Sequence, residues 1–156
     1  MKKIITSLFL TCFLAIAILS SASAIEGWEA NIKVTSGRTA STLAFGQKPD
    51  ATDLADGLYD VPGILSGDIQ VYFSNEEGSF WRDIRGPGSY QEWRLVIVSQ
   101  TGEPVTISWN PADLPAESEI KLVNHADRQE IDMKDAREYS LGITPESLLL
   151  IEVSIN

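Results

Sequence analysis

Residues 50 to 60 read DATDLADGLYD, and a further aspartate follows at Asp68. Carboxylates this dense suit calcium, a hard cation that takes about six to eight oxygen ligands. Asp50, Asp53, Asp56 and Asp60 are the candidate ligand set, provided the loop folds back on itself. Pro49, Gly57, Pro62, Gly63 and Gly67 supply the chain reversals for that. The spacing is not that of an EF-hand loop. The simpler reading is a solvated crossover whose Asp side chains accept hydrogen bonds from nearby backbone N–H groups. Calcium is thus a candidate ligand, and the sequence implies no required cofactor.

Other chemistry has little to draw on. Nucleophilic catalysis needs a nucleophile within reach of a base, yet the chain has one histidine and one cysteine. His125 lies in VNHADRQE, which reads as an exposed turn, and no G-x-S-x-G, H-E-x-x-H or phosphate-loop pattern is present. A small hydrolase built on two facing carboxylates stays open, because its requirement is a separation across a cleft. A second candidate surface is aromatic. In FWRDIR, if Phe80 and Ile84 point inward, Trp81 points outward beside Asp83 and Arg85, and Tyr90 follows closely. Such a platform would stack a sugar ring or meet a protein partner. The competing reading has Trp81 capping the sheet edge and Phe80 at a bulge.

The segment MKKIITSLFLTCFLAIAILSSASA places Lys2 and Lys3 before an apolar run from Ile4 to Leu19 and small residues at Ala22 and Ala24. This is a secretory signal pattern, with cleavage expected after Ala24. The run is shorter than the roughly 20 residues of a membrane span, and no second apolar run follows. Cys12 falls inside it, so residues 25 to 156 form a cysteine-free domain expected to stand in an oxidising compartment without a disulfide. Of the 12 Lys and Arg, two leave with the signal, so 22 acidic groups face 10 basic ones and the net charge is −12. That charge disfavours nucleic acid and anionic membranes. It suits cations, neutral polysaccharides and basic protein surfaces.

The elements that must carry these residues read as strands. Trp28, Ala30, Ile32 and Val34 alternate with polar neighbours, Thr35-Ser36-Gly37-Arg38 makes a turn, and RTASTLAFG returns. DIQVYFS, FWRDIR, QEWRLVIVSQ, VTISW, EIKLVN, EIDMK, EYSLGI and SLLLIEVSIN follow at roughly 8 to 12 residue spacing. No window has a helical stripe of useful length, beyond single turns after Pro111 and in MKDAREYS. The expectation is an all-β chain of about nine or ten strands, folded as a two-sheet antiparallel β-sandwich, Ig-like or jelly-roll-like. Trp28, Trp93 and Trp109 fall on its core phases, and the two terminal strands are candidates for pairing with another chain's edge.

The succession FGQKPDATDLADGLYDVP, FWRDIRG, QEWRLVIVS, PVTISWNPADLP, IKLVN and IDMKDAREYSL resembles a β-sandwich module of secreted and surface-associated bacterial proteins. The resemblance spans Trp28 to Ile155. It implies an Asp-rich loop at Asp50 to Asp60, a strand end at Asp83 to Arg85 and a tryptophan strand at Val105 to Trp109. It implies a structural or interaction role and no catalytic residue. The expected setting is secretion or the bacterial cell surface, with the periplasm as an alternative. The expected function is a subunit of an extracellular assembly that binds a protein partner or itself, with a carbohydrate-binding module as the alternative.

Overall fold

The computed structural model describes residues 27–142 and 145–155. The signal segment with Cys12 and the cleavage position lie outside the described residues. The chain is all-β: β1 (Trp28–Ser36), β2 (Thr39–Gln47), β3 (Val61–Pro62), β4 (Ile69–Asn75), β5 (Gly78–Arg85) and β6 (Tyr90–Ser99) come first. Then come β7 (Val105–Trp109), β8 (Ser118–Asn124), β9 (Glu130–Asp132), β10 (Glu138–Leu141) and β11 (Glu146–Ile155). A 3-10 turn at Pro111–Asp113 is capped by the Asn110 side chain, which accepts from the Ala112 N–H.

Alternation builds the strands. Trp28, Ala30, Ile32 and Val34 of β1 are buried, as are Ile69, Val71 and Phe73 of β4 and Val105, Ile107 and Trp109 of β7. Trp93, Leu95 and Ile97 of β6 and Leu149, Ile151 and Val153 of β11 join the same hydrophobic cluster. Its aromatic heart is edge-to-face: Trp28 lies 5.4 Å from Phe45 and 6.0 Å from Trp93. Phe45 lies 5.4 Å from Trp93, a geometry that adds to the gain from burial alone. The β1–β2 pairing is so close that a Cβ on Gly46 would stand 2.2 Å from the Trp28 carbonyl oxygen.

Strand pairing departs from two separate antiparallel sheets. Hydrogen bonding runs in one order, β10-β7-β1-β2-β5-β4-β6-β11-β8-β9, with β3 attached to β5. The sheet curls into a nearly closed, barrel-like form around one core. Its two ends, β9 and β10, are consecutive in the chain, and residues 133–137 bridge the seam. There Trp109 Nε1 donates to the Met133 carbonyl at 2.7 Å, and Asn124 Nδ2 donates to Tyr139 Oη at 3.1 Å. Tyr139 Oη in turn donates to Gln129 Oε1 at 3.1 Å. The terminal strands are internal: β1 lies between β2 and β7, and β11 between β6 and β8. Both their edges are paired, so the expected strand exchange through the termini loses its basis.

One pair is parallel, β2 with β5, in the register Ala44↔Arg82 to Gln47↔Arg85. Parallel neighbours need a crossover of about a dozen residues or more. The Asp-rich segment begins that crossover, which continues through β4 and the turn into β5.

Candidate functional site

The aspartates of the crossover act first as its internal scaffold. Asp56 accepts the Tyr59 N–H at 2.9 Å through Oδ1 and the Thr52 N–H at 3.2 Å through Oδ2. Asp60 accepts the Asp56 N–H at 2.8 Å and, through its other oxygen, the Ile84 N–H of β5 at 2.9 Å. Asp53 accepts from the Gln91 side chain at 3.0 Å. Asp50 receives the Tyr59 hydroxyl, and that bond holds the phenol above its ordinary titration range. Glu77 accepts the Ala55 N–H from the next turn along. The four candidate ligands thus point at separate backbone and side-chain donors. Among the described residues no group of three or more His, Cys, Asp or Glu converges as a metal cage.

The crossover is fastened to β5 from both sides. Arg82 donates to the Tyr59 carbonyl at 2.8 Å and grips both oxygens of Glu29 in β1, at 3.0 and 2.8 Å. That grip, ahead of the opposing effect of partial burial, holds the Glu29 carboxyl below its usual range. Desolvation instead raises the Asp60 carboxyl, against its two backbone N–H bonds. Two carboxyls shifted in opposite directions near Arg82 are the pattern an acid–base pair requires. Here both oxygens of each are already engaged, Glu29 by the guanidinium and Asp60 by backbone.

β5 corrects the expected platform. Phe80 pairs with Phe73, and Asp83 pairs with Phe45, so both face the core side. Residues three apart share a face only if the strand's phase slips by one between them, as at a bulge. Trp81 therefore points outward and is 38% exposed, whereas Asp83 is only 3% exposed. Asp83 and Arg85 do not flank Trp81 on the surface. They form a buried bidentate pair, with Nε–Oδ1 and Nη2–Oδ2 both 3.0 Å, and the guanidinium stands 4.9 Å from the Trp93 ring centroid. Tyr90 is exposed on β6, paired with Ser154 of β11. Burial and then the Glu152 and Glu92 charges push its hydroxyl up. Ile84 is buried beneath the crossover, which explains why both phases of FWRDIR look apolar.

What sequence reasoning missed is aliphatic. Leu58 is 75% exposed, Ile64 70% and Leu54 66%, and Val61 and Leu65 are exposed as well. Trp81 lies beside the same segment, with its Cδ1 3.3 Å from where a Gly63 Cβ would stand. Tyr90 is the one large exposed hydrophobic elsewhere among the described residues. The signal was present: apolar residues standing in a Gly/Pro/Asp-rich segment that belongs to no strand phase. Two shallow depressions lie apart from this face. One, of about 290 Å³, is lined by His125, Leu141, Glu146 and neighbours, and one, of about 230 Å³, by Arg85, Glu92, Arg94 and Glu76. No helix among the described residues is long and apolar enough to cross a membrane.

No family model, curated protein or solved structure matches the chain.

Proposed function

We propose that this chain is a non-catalytic, secreted or cell-surface β-module that works by binding a protein partner, as a subunit of an extracellular assembly. The observation that carries the reading is the gathering of exposed Leu54, Leu58, Val61, Ile64 and Leu65 on one braced crossover. A soluble domain rarely leaves clustered apolar side chains in water without a use for them. Support for export is the Lys2-Lys3 and Ile4 to Leu19 pattern. The likeness to bacterial β-sandwich modules belongs to the same proposal, with the curled sheet serving as the two packed layers. Contact through a surface loop replaces strand exchange as the mode of assembly.

The test is the native state of the secreted chain. On size exclusion of the native extracellular fraction, the chain of residues 25 to 156 should run in a complex larger than its own monomer. Leu58→Asp with Ile64→Asp should release it as a monomer. A wild-type chain that runs as a monomer throughout, or a complex indifferent to the two substitutions, overturns the reading.

A carbohydrate-binding module is the second reading, favoured by the exposed indole of Trp81. Sugar faces stack on such rings. Polysaccharide pull-downs with wild type and Trp81→Ala decide it, and equal retention of both removes that platform.

A further inference from the structure

We infer that the crossover face takes a cationic, apolar-faced protein segment, an inference that rests on the interaction reading above. From Pro49 to Trp81 the chain carries seven acidic residues and no Lys, Arg or His. The cations that flank this stretch, Lys48 and Arg82, both turn to Glu29, at 4.0 and 2.8 Å. Asp50, Asp53, Asp68 and Glu77 are exposed on or beside the crossover, whereas Glu76 shares the smaller depression with Arg85 and Arg94. The surface is therefore a set of aliphatic anchors in an acidic field with no basic group of its own to balance it.

That combination selects among occupants. A second copy would set the same acidic field against itself, on residues 25 to 156 whose net charge is −12, and anionic lipid or nucleic acid meets the same repulsion. A neutral glycan finds one indole here, while the branched aliphatic side chains offer no ring face for stacking and would strip water from hydroxyls they cannot bond. A segment with Leu- or Ile-type anchors and a Lys/Arg rim satisfies both features at once. Its apolar side chains bury Leu58 and Ile64, and its cations meet the exposed carboxylates. The bonds from Asp56 and Asp60 hold the loop in shape beforehand, so little ordering is lost on docking.

The test uses two synthetic amphipathic peptides of equal length, one of leucine and lysine and one of leucine and glutamate. Trp81 emission reports binding, since Trp28, Trp93 and Trp109 are buried, and Trp81→Phe serves as the control. The lysine peptide should bind, with an association rate that falls as salt is raised, and the glutamate peptide should not. Leu58→Ser with Ile64→Ser should weaken binding by roughly tenfold or more with the near-UV spectrum of the fold retained. Asp50→Asn with Asp53→Asn keeps an acceptor oxygen for Tyr59 and Gln91 and should slow association. Equal binding of both peptides, binding of neither, or wild-type affinity in the Leu58/Ile64 variant overturns the inference. A native complex without lysine-peptide binding refutes the partner class alone, whereas peptide binding by a chain that is monomeric in native secretions refutes the assembly reading alone.

Discussion

Replacing Arg85 by Met should damage this protein far more than replacing its partner Asp83 by Asn. Arg85 is the partner of both Asp83 carboxylate oxygens among the described residues. Its removal leaves a nearly fully buried charge unpaired, a loss of about 3–5 kcal/mol. Asp83→Asn is milder because Arg85 keeps the Glu92 carbonyl at 2.7 Å, Gln91 Oε1 at 3.4 Å and the Trp93 ring. That loss should be about 1–2 kcal/mol. At roughly 3–5 °C per kcal/mol for a domain this size, Arg85→Met should lower the melting temperature by about 9–25 °C and Asp83→Asn by about 3–10 °C. Calorimetry and urea unfolding followed by circular dichroism measure both. Asp83→Leu with Arg85→Met, which removes both charges, should recover part of the loss of Arg85→Met alone. Equal losses in the two single variants, within about 0.5 kcal/mol, would refute the asymmetry and with it the buried pairing.

Glu29→Gln should cost about 0.5–1 kcal/mol at neutral pH, the worth of a half-exposed bidentate pair. The folded Glu29 carboxyl sits below its ordinary value of 4.5, so its stabilisation is present above that value and lost as the pH falls through the folded one. The gap between wild type and variant should therefore close on acidification below 4.5, read from paired pH-dependent melts. Millimolar calcium should leave the melting temperature unchanged, because Asp56 and Asp60 already spend their oxygens on four backbone N–H groups; a rise, with heat on calorimetric titration, would show that the loop rearranges around the ion. Arg128 holds φ at 61° in the turn before β9, a conformation in which glycine is unstrained. Arg128→Gly should stabilise by up to about 1 kcal/mol, and a lowered melting temperature would refute that account.

The sequence made the strands legible wherever one face is wet. β1, β4 and β7 alternate cleanly, and Trp28, Trp93 and Trp109 are core residues as their phase required. FWRDIR was illegible because one strand serves three neighbours with a one-residue slip along it, a decision made by its partners, Phe73 and Phe45 among them, rather than by its own residues. Strand order was hidden for the same reason, since periodicity names a buried face and not a partner. The unbroken path and the parallel β2–β5 pair depend on contacts far apart in sequence. At the candidate site, the aspartates drew attention through charge, and their work as local hydrogen-bond acceptors was readable from their spacing in turns. The exposed aliphatics between them were not, because apolar residues in a loop are equally consistent with packing underneath it.

The placement of β11 has a kinetic consequence. It is the last described strand, and it is the sole link in the ladder between the β10-to-β6 arm and the β8–β9 pair. A chain that lacks it has two unfinished sheets with open edges. Folding to the final form must therefore wait until residues 146–155 are free to pair. Holding the joining step in β11 makes the fold slow to commit, since its contacts to β6 and β8 are far apart in sequence.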